Sequence, residues 1–191
     1  CDRITTKKRG KLSKTEEIKM KKLLALMLVL VMSVSMAACG AKTKTPLAGT
    51  MEENTLKIME IAPVEFMGGT IPVDLTDTSE DGKWAVTYFT GLADAANITD
   101  VAVYESMMGS QAFSLVMVRT AEGADPKAVA EEMTNNIDTR KWICVGADEK
   151  IVAGYGDVVM LIMLDSQLGL KAQSYVDAFK SVCGGEPDFT I

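Results

Sequence analysis

The stretch Lys150-Ile151-Val152-Ala153-Gly154-Tyr155-Gly156-Asp157-Val158-Val159-Met160-Leu161-Ile162-Met163-Leu164 decides the fold class. Two runs rich in apolar and β-branched residues, Lys150 to Ala153 and Asp157 to Leu164, flank Gly154-Tyr155-Gly156. A short glycine-bearing link between two such runs predicts a pair of strands joined tightly. The second run is apolar without a break, which places it centrally in a sheet.

Upstream of this stretch, Asp125-Pro126 supplies an N-cap and a proline at the first helical position. Val129, Met133 and Ile137 then recur every four residues, with Glu131-Glu132 outward. This predicts a helix that runs to about Arg140 or Trp142. Before it, Asp100 to Ser106 and Ala112 to Arg119 read as a hairpin joined by Met107–Gln111. Lys83 to Thr90 (KWAVTYFT) alternates in part and reads as a further strand, and Glu65 to Gly82 reads as a loop. Glu52 to Ile61 predicts a helix with Leu56, Met59 and Ile61 inward, ended by Pro63. Gly169 to Val182 predicts the last helix, with Leu170, Val176 and Phe179 inward and Gly184-Gly185 closing it. The order α-β-β-β-α-β-β-α implies an α+β domain. Its antiparallel sheet of about four to five strands is expected to carry helices mainly on one face.

Charge divides the 191 residues differently. Residues 1–38 hold nine of the 20 basic residues and three of the 26 acidic ones, so the remainder carries a formal −12. Lys21-Lys22, the apolar run Leu23 to Ser35 and the small pair Ala37-Ala38 have the layout of a secretory signal. The run is shorter than the ~20 apolar residues that a spanning helix needs. Met20 is the natural start, and residues 1–19 read as an untranslated upstream extension. Residues 20–38 then form the signal peptide and 39–50 a lipidated cysteine with a small, polar tether. Residues 51–191 form a single globular domain.

The run Met36-Ala37-Ala38-Cys39 resembles the lipobox of bacterial lipoproteins. Met36 stands where leucine is commonest. The resemblance implies cleavage before Cys39 and a diacylglyceryl group on its sulfur. It also implies residence at the extracytoplasmic face of the cell membrane, since two acyl chains suffice for stable anchoring. The domain behind the anchor resembles the small Gram-positive lipoproteins grouped as domain of unknown function 4358. The likeness spans roughly residues 84–180. It rests on Asp100-Val101-Ala102-Val103-Tyr104, on the Ala- and Glu-rich helix Ala128–Trp142, and on the strand Gly156-Asp157-Val158-Val159-Met160-Leu161. It implies no established activity.

The chain contains no histidine, which removes histidine triads and every metal site built on imidazole. No nucleophile elbow, S-x-x-K or Walker motif appears, and no cofactor or metal is expected. A formal −12 without a basic stripe argues against nucleic acid. Cys144 and Cys183, near the ends of two predicted helices, are candidates for a disulfide if those helices pack side by side. The alternative is two buried thiols acting as small hydrophobes. Asp77 to Gly82 echoes the start of a calcium loop, but the twelfth position is Tyr88, so a solvated acidic turn is expected. Of nine methionines after Cys39, Met117, Met133, Met160 and Met163 fall on apolar faces. Met107-Met108, in the hairpin turn, is the pair open to a thioether role. Trp84, Tyr88, Trp142 and Tyr155 either line a small groove or cap the sheet edges.

These features favour a lipid-anchored, extracytoplasmic binding or accessory domain without catalysis, contacting an envelope protein. A small enzyme acting on envelope polymer is the second reading, and a solute-binding component is the third.

Overall fold

The computed structural model describes residues 46–191. The signal segment and Cys39 lie outside the described residues. Six antiparallel strands form one sheet: β1 (Gly68–Ile71), β2 (Ile98–Ser106), β3 (Phe113–Thr120), β4 (Glu149–Tyr155), β5 (Val158–Leu164) and β6 (Phe189–Thr190). Their spatial order is β1-β2-β3-β5-β4-β6. The helices are α1 (Met51–Ile61), α2 (Glu80–Thr90), α3 (Pro126–Asn136) and α4 (Ala172–Cys183). The fold is α+β, with six strands where four to five were expected. Among the described residues, no helix is long and apolar enough to cross a membrane.

β5 lies between β3 and β4, as its unbroken apolar run implies, and all seven of its residues are buried. Successive strand residues face opposite sides, and β5 supplies both. Val158, Met160, Ile162 and Leu164 pack with α1 and α4, while Val159, Leu161 and Met163 pack with α2 and α3. The helices are therefore shared between two faces, which corrects the one-face expectation. A strand covered on one face alone would have exposed half of that run, at roughly 25 cal/mol per Å² of apolar surface.

The second correction is α2. Lys83 to Thr90 is helical, not extended. Ser79 caps the helix by accepting from the Gly82 amide, Glu80 and Asp81 occupy the first turn, and Gly91 ends it in the left-handed region at φ 78°. These terminal interactions, together with burial of Val86 and Phe89 one turn apart, outweigh the β-propensity of the aromatic run.

The segment read as a loop contains β1. Its glycines are where two neighbours need space. A Cβ on Gly68 would lie 2.6 Å from Tyr104 Cε1, and one on Gly69 2.7 Å from Met107 Cε. The side chains of β2 and its extension thus lie over β1.

In α1, Ile58 and Met59 face inward, but Leu56 and Ile61 are exposed, against expectation. The helix begins one residue earlier than predicted, with Thr50 and Glu53 forming a capping box. The Asp125 cap of α3 holds, but that helix ends at Asn136, short of Arg140. α4 begins at Ala172, after a 3-10 turn at Ser166–Leu168. Leu170 is half-buried against the core, while Val176 and Phe179 are buried.

Candidate functional site

The strands define two ends. At one, the chain enters the domain. Arg119 Nη2 donates to the Leu47 carbonyl at 2.7 Å and the Gly49 carbonyl at 3.0 Å, while Nη1 pairs with Asp157 at 2.6 Å. The Met51 amide donates to Asp100 Oδ2 at 2.8 Å, and Leu47 packs against the core. The tether, expected to run to Thr50, is therefore held from Leu47 onward.

The opposite end is built from three segments: the approach to β1, the β2–β3 turn, and the loop between α3 and β4. The Met107 amide donates to the Met67 carbonyl at 2.9 Å, and the Ile143 amide to the Gly109 carbonyl at 2.8 Å. The Ser106 hydroxyl sits 2.9 Å from Gln111 Oε1 and accepts from the Met108 amide at 3.1 Å, which stiffens the turn. Four large apolar side chains are left in solvent here: Met67 (75% exposed), Met107 (59%), Met108 (51%) and Ile143 (72%). An open depression of about 450 Å³ beside them is lined by residues including Pro63, Phe66, Gln111 and Leu168.

Beneath this end lies a buried ion pair. Lys141 Nζ sits 2.6 Å from Glu105 Oε1, and the side chains are 1% and 9% exposed. Nζ also lies 4.8 Å from the Tyr88 ring centre, 5.1 Å from Phe89 and 5.4 Å from Trp142. Three ring faces and one carboxylate thus surround one ammonium. Burial pushes the Lys141 ammonium below its ordinary pKa, against the opposing pull of Glu105 and Asp138. Burial, then Glu105 and Asp138, push the Tyr88 phenol up. The Tyr88 hydroxyl donates to the Lys141 carbonyl at 3.3 Å, so side chain and backbone are fixed together. Sealed in this way, Lys141 is not presented to a substrate. Its geometry is that of a clamp holding the loop that carries Ile143 against the sheet. Ser114 Oγ, paired in register with Glu105, is buried without a hydrogen-bond partner.

Trp84, Tyr88 and Trp142 do converge: Trp84 stacks on Tyr88 at 4.5 Å, and Trp142 shares Lys141 with it. Tyr155 lies on the other face. No disulfide joins Cys144 and Cys183. Cys144 is exposed in the α3–β4 loop at the methionine end, at φ 61°. Cys183 closes α4, which packs on the opposite face and ends near Tyr155. The premise of side-by-side helices fails, and the pairing with it.

Asp77 accepts from the Ser79 amide and Ser79 caps α2, so the calcium-like sequence is a turn leading into a helix. Asp74, Asp77 and Asp148 are held below the ordinary carboxylate range by hydrogen bonds from Thr76, Ser79 and Ser166 respectively. No cluster of three or more Cys, Asp or Glu able to hold a metal occurs among the described residues. Met117, Met133, Met160 and Met163 are fully buried in the core.

The Lys141–Glu105 pair was missed from the sequence. The available signal was parity: Glu105 continues the inward positions Val101 and Val103.

No family model, no curated protein and no solved structure matches this chain.

Proposed function

We propose that this chain is a lipid-anchored, extracytoplasmic docking domain without catalytic activity. Cys39 is the acylated residue, and the domain presents its methionine end to an envelope protein. The likeness to the lipoproteins of domain of unknown function 4358 belongs to the same reading. It rests on the residues quoted above.

One observation carries the proposal: the chain entering at Leu47 and Gly49, held by Arg119, and the exposed apolar group lie at opposite ends of the strands. β2 begins at Ile98 beside the entering chain and ends at Ser106, eight residues later. At ~3.3 Å per residue this is roughly 26 Å. An anchor attached through Pro46 therefore leaves the exposed apolar group facing away from the side of attachment. Four large apolar residues exposed together, on a framework tied by backbone hydrogen bonds, fit a preformed contact surface. The formal −12 of residues 39–191 opposes adsorption to anionic lipid and keeps that surface available to a protein.

Intact mass of the protein extracted from native membranes tests the anchor. The reading expects a species that begins at Cys39 and is heavier by a diacylglyceryl group. An unlipidated species retaining residues 20–38 would remove the anchor and the orientation with it.

A further inference from the structure

We infer that Met67 and Met107 form a soft-metal site for a monovalent ion of the copper(I) or silver(I) type. Of the nine methionines after Cys39, Met51, Met59, Met117, Met133, Met160 and Met163 are buried, and the three exposed ones lie at a single end. Core packing accounts for the six and not for the three.

The register brings two of them together. Gly68 pairs with Ser106 and Gly69 with Glu105, so one step outward places Met67 opposite Met107. The hydrogen bond from the Met107 amide to the Met67 carbonyl, at 2.9 Å, continues the pairing. Directly opposed residues on one face have Cβ atoms about 5 Å apart. Two thioethers on flexible, unbranched stems can close on a common ion from that spacing. Met107 Cε lies over Gly69, where the missing side chain leaves room for it. Met108 supplies a third exposed thioether in the adjoining turn.

The donor set selects the ion. Thioethers favour monovalent copper over hard cations. The buried carboxylate of that face, Glu105, is already paired with Lys141. The site is independent of the docking reading, because leucine preserves apolar volume and removes the sulfur.

The test is titration of the full chain with silver(I), which is redox-inert under these conditions. The methionine ε-methyl groups are followed by NMR beyond saturation of the thiols. The Met67 and Met107 methyls are expected to move together while the six buried methyls stay in place. Met67→Leu is expected to weaken silver binding at Met107 at least tenfold, and Met107→Leu to do the same at Met67. Methyls that do not move, or a Met107 response unchanged by Met67→Leu, would overturn the site. So would a response abolished by Cys144→Ser alone, which would assign the ion to the thiol. Docking can survive any of these results, since it needs only the apolar surface.

Discussion

Lys141 and Glu105 meet at 2.6 Å beneath the exposed methionine end, each almost wholly removed from solvent. Removing one partner of such a pair leaves a buried charge, which typically costs 3–5 kcal/mol, whereas replacing both with apolar groups is often neutral or better. Lys141→Met is therefore expected to destabilise by about 3 kcal/mol or more, and Lys141→Met with Glu105→Leu to recover most of that loss. Urea unfolding of the three proteins measures both. In the single variant the Ile143 amide, bonded to the Gly109 carbonyl, should also lose hydrogen-exchange protection before the β5 amides do.

Tyr175 governs the alkaline side. It is buried between the sheet and α4, and burial, with Tyr104 nearby, pushes its phenol up to about 12 from 10.0. A raised folded-state value means that the native protein holds the proton longer than the unfolded chain. Its contribution is fully present below pH 10 and is lost as pH rises toward about 12. Two pH units correspond to at most about 2.7 kcal/mol. Lys141 acts in the opposite sense, since its lowered value makes stability rise with pH in the window just below 10.5. Absorbance at the phenolate band should show a late step, rising together with unfolding. Tyr175→Phe should remove that late step.

The identity of α2 is testable through its ends. Ser79→Ala should cost about 1 kcal/mol through loss of the cap. Gly91→Ala should cost more, on the order of 1–3 kcal/mol for a side chain forced to positive φ. Its Cβ would also lie 2.8 Å from the Ile137 backbone nitrogen. Were residues 83–90 a strand, neither substitution would act through a helix end, and the helical signal in circular dichroism would be indifferent to Ser79→Ala.

Leu161→Ala in β5 should cost about 2–5 kcal/mol, because the residue is fully buried at the centre of the sheet. The measured loss should appear as a lower denaturation midpoint with an unchanged slope.

The legibility of the fold followed the strength of local signals. β5 was readable because seven buried positions in succession leave a single apolar run. α3 was readable because Asp125-Pro126 marks its start. α2 was misread because KWAVTYFT carries the residue types of a strand, while its helical signals, Ser79 and Gly91, lie just outside that run. β1 was hidden because its glycines serve the neighbouring side chains of Tyr104 and Met107, a cross-strand relation that no local pattern records. The methionine end was half visible: Met107-Met108 fell in a turn, but Met67 joins them only through the register of β1 on β2. The separation of Cys144 from Cys183 depends on which face each helix covers, and hydrophobic periodicity does not state that.

Contact of an envelope protein with the methionine end is testable directly. A photo-cross-linking residue at position 107 and another at Glu122, an exposed position beside the entering chain, compare the two ends in intact cells. A discrete protein adduct is expected from position 107, absent at Glu122 and reduced when Ile143 is replaced by aspartate. Equal adducts from both positions, or adducts from Glu122 alone, would contradict it.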